Sequence, residues 1–324
     1  MDSADIEVLK AAVGWLEAGH RVALVTVVGT WGSAPRPAGA WLGLRDDGLL
    51  VGSVSGGCIE DDLVGRMRDG EFRGSRPQVV TYGVTKDEAR RFGLPCGGTL
   101  RLVVEPAPDA ATLRDLRARI ERGELAARTL DLASGAVTLA AAQRGDALRF
   151  DGERMTHVHG PRLRLLVIGA GQVSFYLAQM AQALDYRVIV CDPREEYAAA
   201  WQVPGAQLVS TMPDDTVLAL KLDAHSAVVA LTHDPKLDDM ALLEALKSPA
   251  FYVGALGSRA NDARRRERLG QFDLTPEQIA RLHGPVGLRI GSRTPAEIAV
   301  SILAEMTAVR NTAALPAVVV AATA

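Results

Sequence analysis

Arg162-Leu163-Arg164-Leu165-Leu166-Val167-Ile168-Gly169-Ala170-Gly171-Gln172-Val173-Ser174 decides the fold. The run from Arg162 to Ile168 reads as a buried strand. The glycine turn after it leads into a helix predicted through Leu184, and a second strand, Arg187 to Cys191, ends in Asp192. Strand, glycine turn, helix, strand and acid form the dinucleotide fingerprint in its required context. Asp192 lies 23 residues after Gly169, near the spacing at which a carboxylate meets a ribose 2′-hydroxyl. Ser174 stands where a third glycine usually packs helix on strand. Gly169, Gly171, Ser174 and Asp192 are therefore the candidate nucleotide-binding residues, although a Rossmann-like fold and a bound dinucleotide are separate claims.

The alternation continues downstream. Ala227 to Leu231 and Phe251 to Leu256 read as strands, with a helix from Leu237 to Leu246 after the first and, after Gly257-Ser258-Arg259, a helix through Arg268. Ligands of open parallel sheets bind beyond the carboxyl ends of the strands. His233, Asp234, Ser258 and Arg259 are placed there, and His233 reads equally well as a ligand contact or a hydrogen-bonded loop histidine. Arg264-Arg265-Arg266 reads as a solvated helix face. Thr294-Pro295-Ala296-Glu297 is a capping box with proline at the first helical position, opening a helix through Ile298, Ile302 and Met306. Residues 161–310 form the predicted Rossmann-like, doubly wound domain, and 311–324 an Ala/Val-rich tail.

Upstream, residues 1–107 read as a mixed α/β domain. A helix over 5–19 precedes a strand from Arg21 to Val28, and a hairpin turns at Asp46-Asp47-Gly48. Further strands are expected at Gln78 to Tyr82 and Leu100 to Glu105. Two glycine-rich loops each carry one cysteine: Ser55-Gly56-Gly57-Cys58-Ile59-Glu60 and Cys96-Gly97-Gly98. In the first, backbone amides of the glycine turn form a natural anion cradle. Cys58 sits at a helix start, where the partial positive charge favours the thiolate. Glu60, Asp61 and Asp62 oppose that effect, and Cys58 as a small buried hydrophobe is the competing reading. Two thiols without neighbouring histidines make a poor zinc site. Arg36, held extended between Pro35 and Pro37, is placed to clamp a phosphate or to lie on the surface as a loop arginine. Residues 108–160 read as a small connecting subdomain without a chemical constellation, and no histidine lies between His20 and His157.

Composition narrows the class. The 324 residues are 48% hydrophobic and 23% charged, with a formal net charge of −3 and three cysteines. Length suggests about two domains. The charge gives no reason to expect nucleic acid, no stretch reaches a membrane span, and few, odd-numbered cysteines fit a reducing compartment. The expectation is a cytoplasmic protein.

With these stretches in order, and with Gly32-Ser33-Ala34-Pro35-Arg36, Thr232-His233-Asp234 and Gly254-Ala255-Leu256-Gly257-Ser258-Arg259 beside them, the chain resembles the xanthine dehydrogenase accessory protein family of the XdhC/CoxI type. Gln172, Pro235 and Arg289 depart from its pattern. The resemblance implies a carrier of molybdenum cofactor (molybdopterin) rather than a turnover enzyme. It would shield the cofactor during sulfuration by a cysteine desulfurase or sulfurtransferase and deliver it to an apo molybdenum hydroxylase. On that reading Cys58 and Cys96 face the molybdenum in one cleft. Arg36 and the Ser55, Gly56 and Gly57 amides hold the anion, and Gly97 and Gly98 give backbone access. His233, Ser258 and Arg259 reach the same ligand from the second domain. Three alternatives remain: an oxidoreductase using NAD(P) or another nucleotide, a persulfide carrier, and a pure adaptor with a vestigial Rossmann fold. A homodimer through the tail or last helix is a further expectation.

Overall fold

A computed structural model describes residues 3–31, 36–83, 99–161 and 163–312, without the side chains of residues 3–5 and of Cys58. The chain divides into two compact units at Pro161 and Arg162.

The first unit holds α1 (Ser3–Glu17), β1 (Val22–Trp31), β2 (Trp41–Arg45), β3 (Leu50–Gly52), α2 (Cys58–Arg68), β4 (Gln78–Tyr82) and β5 (Thr99–Glu105). After them come α3 (Ala110–Glu121), β6 (Ala126–Asp131), β7 (Val137–Ala141), β8 (Arg149–Phe150) and β9 (Arg154–His159). β1 to β5 make an antiparallel sheet in the order β3-β2-β1-β5-β4, and β6 to β9 a second sheet in the order β7-β6-β9-β8. β1 carries an apolar residue at almost every position because both its faces are covered. Ala23, Val25 and Val27 meet Ile59, Leu63 and Met67 of α2, while Val22 and Leu24 meet Val8, Leu9 and Val13 of α1. Residues 108–160 belong to this unit and do not stand apart from it. Arg128 of β6 reaches Glu105 at the end of β5 with bonds of 2.6 and 2.8 Å, a buried ion pair between the two sheets.

The second unit alternates strand and helix: β10 (Leu163–Ile168), α4 (Gln172–Ala183), β11 (Tyr186–Cys191), α5 (Glu195–Ala199), β12 (Gln207–Val209), α6 (Pro213–Leu220) and β13 (Ser226–Ala230). It continues through α7 (Pro235–Ala245), β14 (Tyr252–Ala255), α8 (Arg259–Leu269), α9 (Pro276–Ala280), β15 (Leu282–His283) and α10 (Pro295–Thr312). The parallel sheet runs β12-β11-β10-β13-β14-β15, so the order reverses between β10 and β13. Strand residues alternate between two cores. Leu165, Val167, Val188 and Val229 pack against α4 and α10, while Leu166, Ile168, Ile189 and Val228 face α6 and α7. This is the doubly wound parallel sheet that the fingerprint predicted, and β10 is buried at every position.

Candidate functional site

In the first unit, five strand termini share one end of the sheet. The register sets Trp31 of β1 opposite Thr99 of β5 and Tyr82 of β4 opposite Leu100. β2 starts and β3 ends towards the same side, at Trp41 and Gly52. The three connections carrying the candidate residues, 32–40, 53–57 and 83–98, therefore all leave from that end. Two contacts orient α2 along the sheet. Arg68, in its last turn, donates to the Asp47 carbonyl (3.3 Å) in the β2–β3 turn at the far end. Asp62, one turn in from the start, accepts from the Tyr82 hydroxyl at 2.7 Å. Cys58, the first helical residue, is thus carried to the end where β4 stops and β5 starts. Cys96, Gly97 and Gly98 lie outside the described residues, and Thr99 at that end follows three positions after Cys96. Arg36 is described and only partly buried.

The glycine turn before Cys58 is organised differently from the anion cradle expected of it. Its donors converge on Glu60 of its own helix. Val54 and Ser55 amides meet Oε1 at 2.8 Å, the Gly56 amide at 3.3 Å, and the Gly57 amide meets Oε2 at 2.9 Å. The Ser53 hydroxyl donates to Oε1 and the Ser55 hydroxyl to Oε2. Gly56 and Gly57 take positive φ (86° and 141°), which lets consecutive amides point inward. Burial pushes the Glu60 carboxyl up, but the Ser55 and Ser53 hydroxyls and the amides outweigh it and leave it at about 2. Ser55, Gly56 and Gly57 are corrected accordingly: their amides hold a carboxylate of the chain, not an outside anion. The reason is physical, since an internal carboxylate three to five residues away fills the cradle at little entropic cost.

Sequence reading passed over a pair of imidazoles. His157 and His159 alternate on one face of β9, with ring centroids 4.0 Å apart, and His159 lies 4.5 Å from Trp41. A side chain at Gly39 would meet His157 Nε2 at 2.9 Å, so the loop after Arg36 passes directly over this pair. The i, i+2 spacing was visible in the sequence; the strand pairing that brings it to Trp41 was not. Among the described residues, no cluster of three or more His, Cys, Asp or Glu could hold a metal ion.

In the second unit, the candidate loops all follow carboxyl ends of strands. Gly169 has φ 102°, and a Cβ there would stand 2.9 Å from Thr232 Cγ2 and 3.1 Å from the Thr232 backbone. Gly169→Ala is expected to cost roughly 1–3 kcal/mol through the left-handed backbone and this clash, read as a lower urea midpoint at unchanged slope. At Gly171, by contrast, a Cβ would meet nothing of the protein within 4 Å. His233 adopts φ 62°, an uncommon conformation for a non-glycine residue, and is exposed. Thr232 beside it is fixed by Asp238, which accepts from the Thr232 amide (3.1 Å) and hydroxyl (2.7 Å) and pairs with buried Arg265 at 3.3 Å. Arg265 therefore belongs to the interior, not to the solvated face expected of it. Burial raises the Asp238 carboxyl against these bonds. The Ser258 oxygen caps α8 by accepting from the Asn261 amide at 3.2 Å, and Arg259 is exposed at its first turn.

Asp192 also departs from expectation. It is fully buried, with Oδ2 accepting from the Ala170 amide (2.8 Å) and Arg194 (2.8 Å), and Oδ1 from the Arg194 amide (3.1 Å) and Nε (2.9 Å). Burial would raise its carboxyl, but Arg194 and the Ala170 amide hold it below the ordinary range. A carboxylate so enclosed fastens the glycine turn and is not presented to a ribose. The spacing singled out Asp192 but could not show its partner two positions on.

Comparison with known proteins follows the same division. The family model described as "XdhC Rossmann domain" matches residues 165–306, and that described as "XdhC and CoxI family" matches residues 15–83. The molybdenum cofactor insertion chaperone PaoD of Escherichia coli is 28% identical over 312 residues, covering 94% of this chain and 88% of that one. A Bacillus subtilis protein described as a probable xanthine dehydrogenase component is 28% identical, covering 93% and 96%. A crystal structure described as a xanthine dehydrogenase from Bacillus halodurans superposes with a TM-score of 0.71 at 25% identity, covering 97% of each chain.

Proposed function

The chain belongs to the XdhC and CoxI family, and on that premise we propose that it serves in the maturation of a molybdenum hydroxylase by carrying the molybdenum cofactor. The reading rests on one observation: the connections bearing Arg36, Cys58 and Cys96 leave a single end of the five-stranded sheet. Soft sulfur donors suit a sulfur-rich metal centre. Two thiols carried by segments that join the sheet at one end would give a carrier a way to engage molybdenum without enclosing it. The relative named as an insertion chaperone points the same way.

On this reading Cys58 and Cys96 address the metal end of the cofactor and Arg36 its phosphate. The carrier holds the cofactor while a cysteine desulfurase or sulfurtransferase replaces a terminal oxygen by sulfur, then passes it to the apo-hydroxylase in the cytoplasm. His233 and Arg259 are exposed side chains available for client contact.

Purification from cells with intact cofactor synthesis tests the reading. The wild-type chain is expected to carry molybdenum and the fluorescence of oxidised pterin. Cys58→Ala and Cys96→Ala are each expected to lower retention by about tenfold or more, the loss of roughly one strong contact. Full retention in both variants would overturn the assignment of the thiols. A wild-type chain that holds neither molybdenum nor pterin would overturn the carrier reading itself.

A further inference from the structure

In the second unit, the segment leading into α10 folds back along that helix. The Gly287 amide donates to Glu305 (2.8 Å) and the Leu288 amide to the Ser301 carbonyl (3.1 Å), both in the body of α10. Arg293 then meets the helix start, where its amide donates to Glu297 (2.7 Å). From Ser301 to Glu297 the helix rises only about 6 Å, so the intervening segment is confined beside it. A tight turn, closed by the Ile290 amide on the Leu288 carbonyl (2.9 Å), keeps Leu288 and Ile290 together. Leu288, Ile290 and Val300 of α10 are all exposed, Ile290 by 53%.

A cavity of about 460 Å³ opens at the same helix start, between Thr294, Pro295 and Ala296 on one side and Gln172, Phe175 and Tyr176 of α4 on the other. Phe175 braces the exposed Tyr176 edge-on, with ring centroids 5.4 Å apart. Single exposed apolar side chains need no explanation. Several of them around a cavity with an aromatic wall mark a surface built to be covered.

Charge decides what covers it. Arg289 and Arg293 are exposed, and among the described residues neither has a carboxylate partner. Glu297, the acid beside them, spends its carboxylate on the Arg293 and Thr294 amides. The rim is therefore basic in a chain whose formal net charge is −3. A second copy packed about a two-fold axis would set these arginines against themselves, like charge on like. The chain's own segment 313–324 holds no Asp or Glu and leaves both guanidiniums unanswered. A segment bearing carboxylates answers them.

We propose that this surface docks an acidic segment of a partner protein, with one bulky apolar side chain of that segment entering the cavity against Tyr176 and its carboxylates pairing with Arg289 and Arg293. The cavity supplies the anchor, and the arginines supply orientation and speed of encounter. Neither the thiols nor the cofactor takes part, so this docking surface holds or fails separately from the carrier reading.

Selection of random peptides of about twelve residues, displayed on phage, against the full chain tests it. Sequences that set several acids around an aromatic residue or a leucine are expected to be enriched. The strongest, synthesised with a fluorophore, should bind with Kd of about 100 µM or tighter. Its affinity should fall about tenfold between about 50 and about 500 mM NaCl. Ala296→Trp, which plugs the cavity, should weaken binding by about tenfold or more at an unchanged melting temperature. Arg289→Glu combined with Arg293→Glu should do the same, and the peptide with its acids exchanged for lysines should bind that double variant better than it binds the wild type. Such a reversal cannot come from a folding defect. The proposal is overturned by enrichment of basic or uncharged sequences, by no binder tighter than about 1 mM, or by full affinity in both variants. A wild-type dimer that Ile290→Asp turns into a monomer in sedimentation would also overturn it, since a second copy would then be the occupant.

Discussion

Glu60→Ala is expected to lower the stability of the first unit by roughly 3–5 kcal/mol and to abolish cofactor retention with it. The carboxylate gathers four amides and two hydroxyls in the turn before Cys58, and truncation leaves those donors pointing at a void. Glu60→Gln separates charge from shape. It keeps the volume but replaces one acceptor by a donor facing amide N–H groups, so about half of the loss should remain, roughly 2 kcal/mol. The contribution also carries a pH signature. Glu60 is held at about 2 in the folded chain, below the ordinary carboxylate value of about 4.3 in the unfolded one. A depressed folded value means stability that is complete above the unfolded value and disappears as pH falls through the folded one. The melting-temperature gap between wild type and Glu60→Gln should therefore be constant above about pH 5 and close between about pH 4.5 and 2. A gap that stays constant down to pH 2 would show that the carboxylate charge is not what the turn is built on.

Arg128→Met is expected to cost a similar amount, roughly 3–5 kcal/mol, because it strands the Glu105 carboxylate in the interior. Both residues are at least 95% buried, and their bonds join the sheet bearing the candidate loops to the sheet bearing His157 and His159. Adding Glu105→Leu should recover most of the loss, since two apolar groups of similar volume remove the stranded charge. Urea unfolding of the single and double variants measures this. A double variant as unstable as Arg128→Met alone would mean that the pair acts through packing and not through charge.

Much of the fold was legible before the structure. Ile168-Gly169-Ala170-Gly171 betrayed a buried strand and a tight glycine turn because strand periodicity and the glycine requirement are both local. The hairpin at Asp46-Asp47-Gly48 was readable for the same reason. What failed to show was who answers whom. Glu60 reads as an acid in a helix's first turn, yet four of its six donors are backbone amides, which no sequence distinguishes. Asp192 stood at the correct spacing, but its fate was decided by Arg194, whose side chain folds back on it. His157 and His159 looked like part of an uneventful middle segment because only the pairing of distant strands delivers them to Trp41 and Gly39. Local propensity is written in neighbours; satisfaction of polar groups is settled across the fold.

The carboxylate seated in the turn before Cys58 has a consequence for handover. A transporter must let go as readily as it grips, and an oxyanion lodged among several amides would be slow to leave. By plugging that nest from within, Glu60 denies the load such a berth and sets a fixed negative charge next to the sulfur-bearing helix start. On the proposed reading attachment then rests on the two thiols and Arg36, and an acceptor offering a snugger seat has only those few contacts to outcompete.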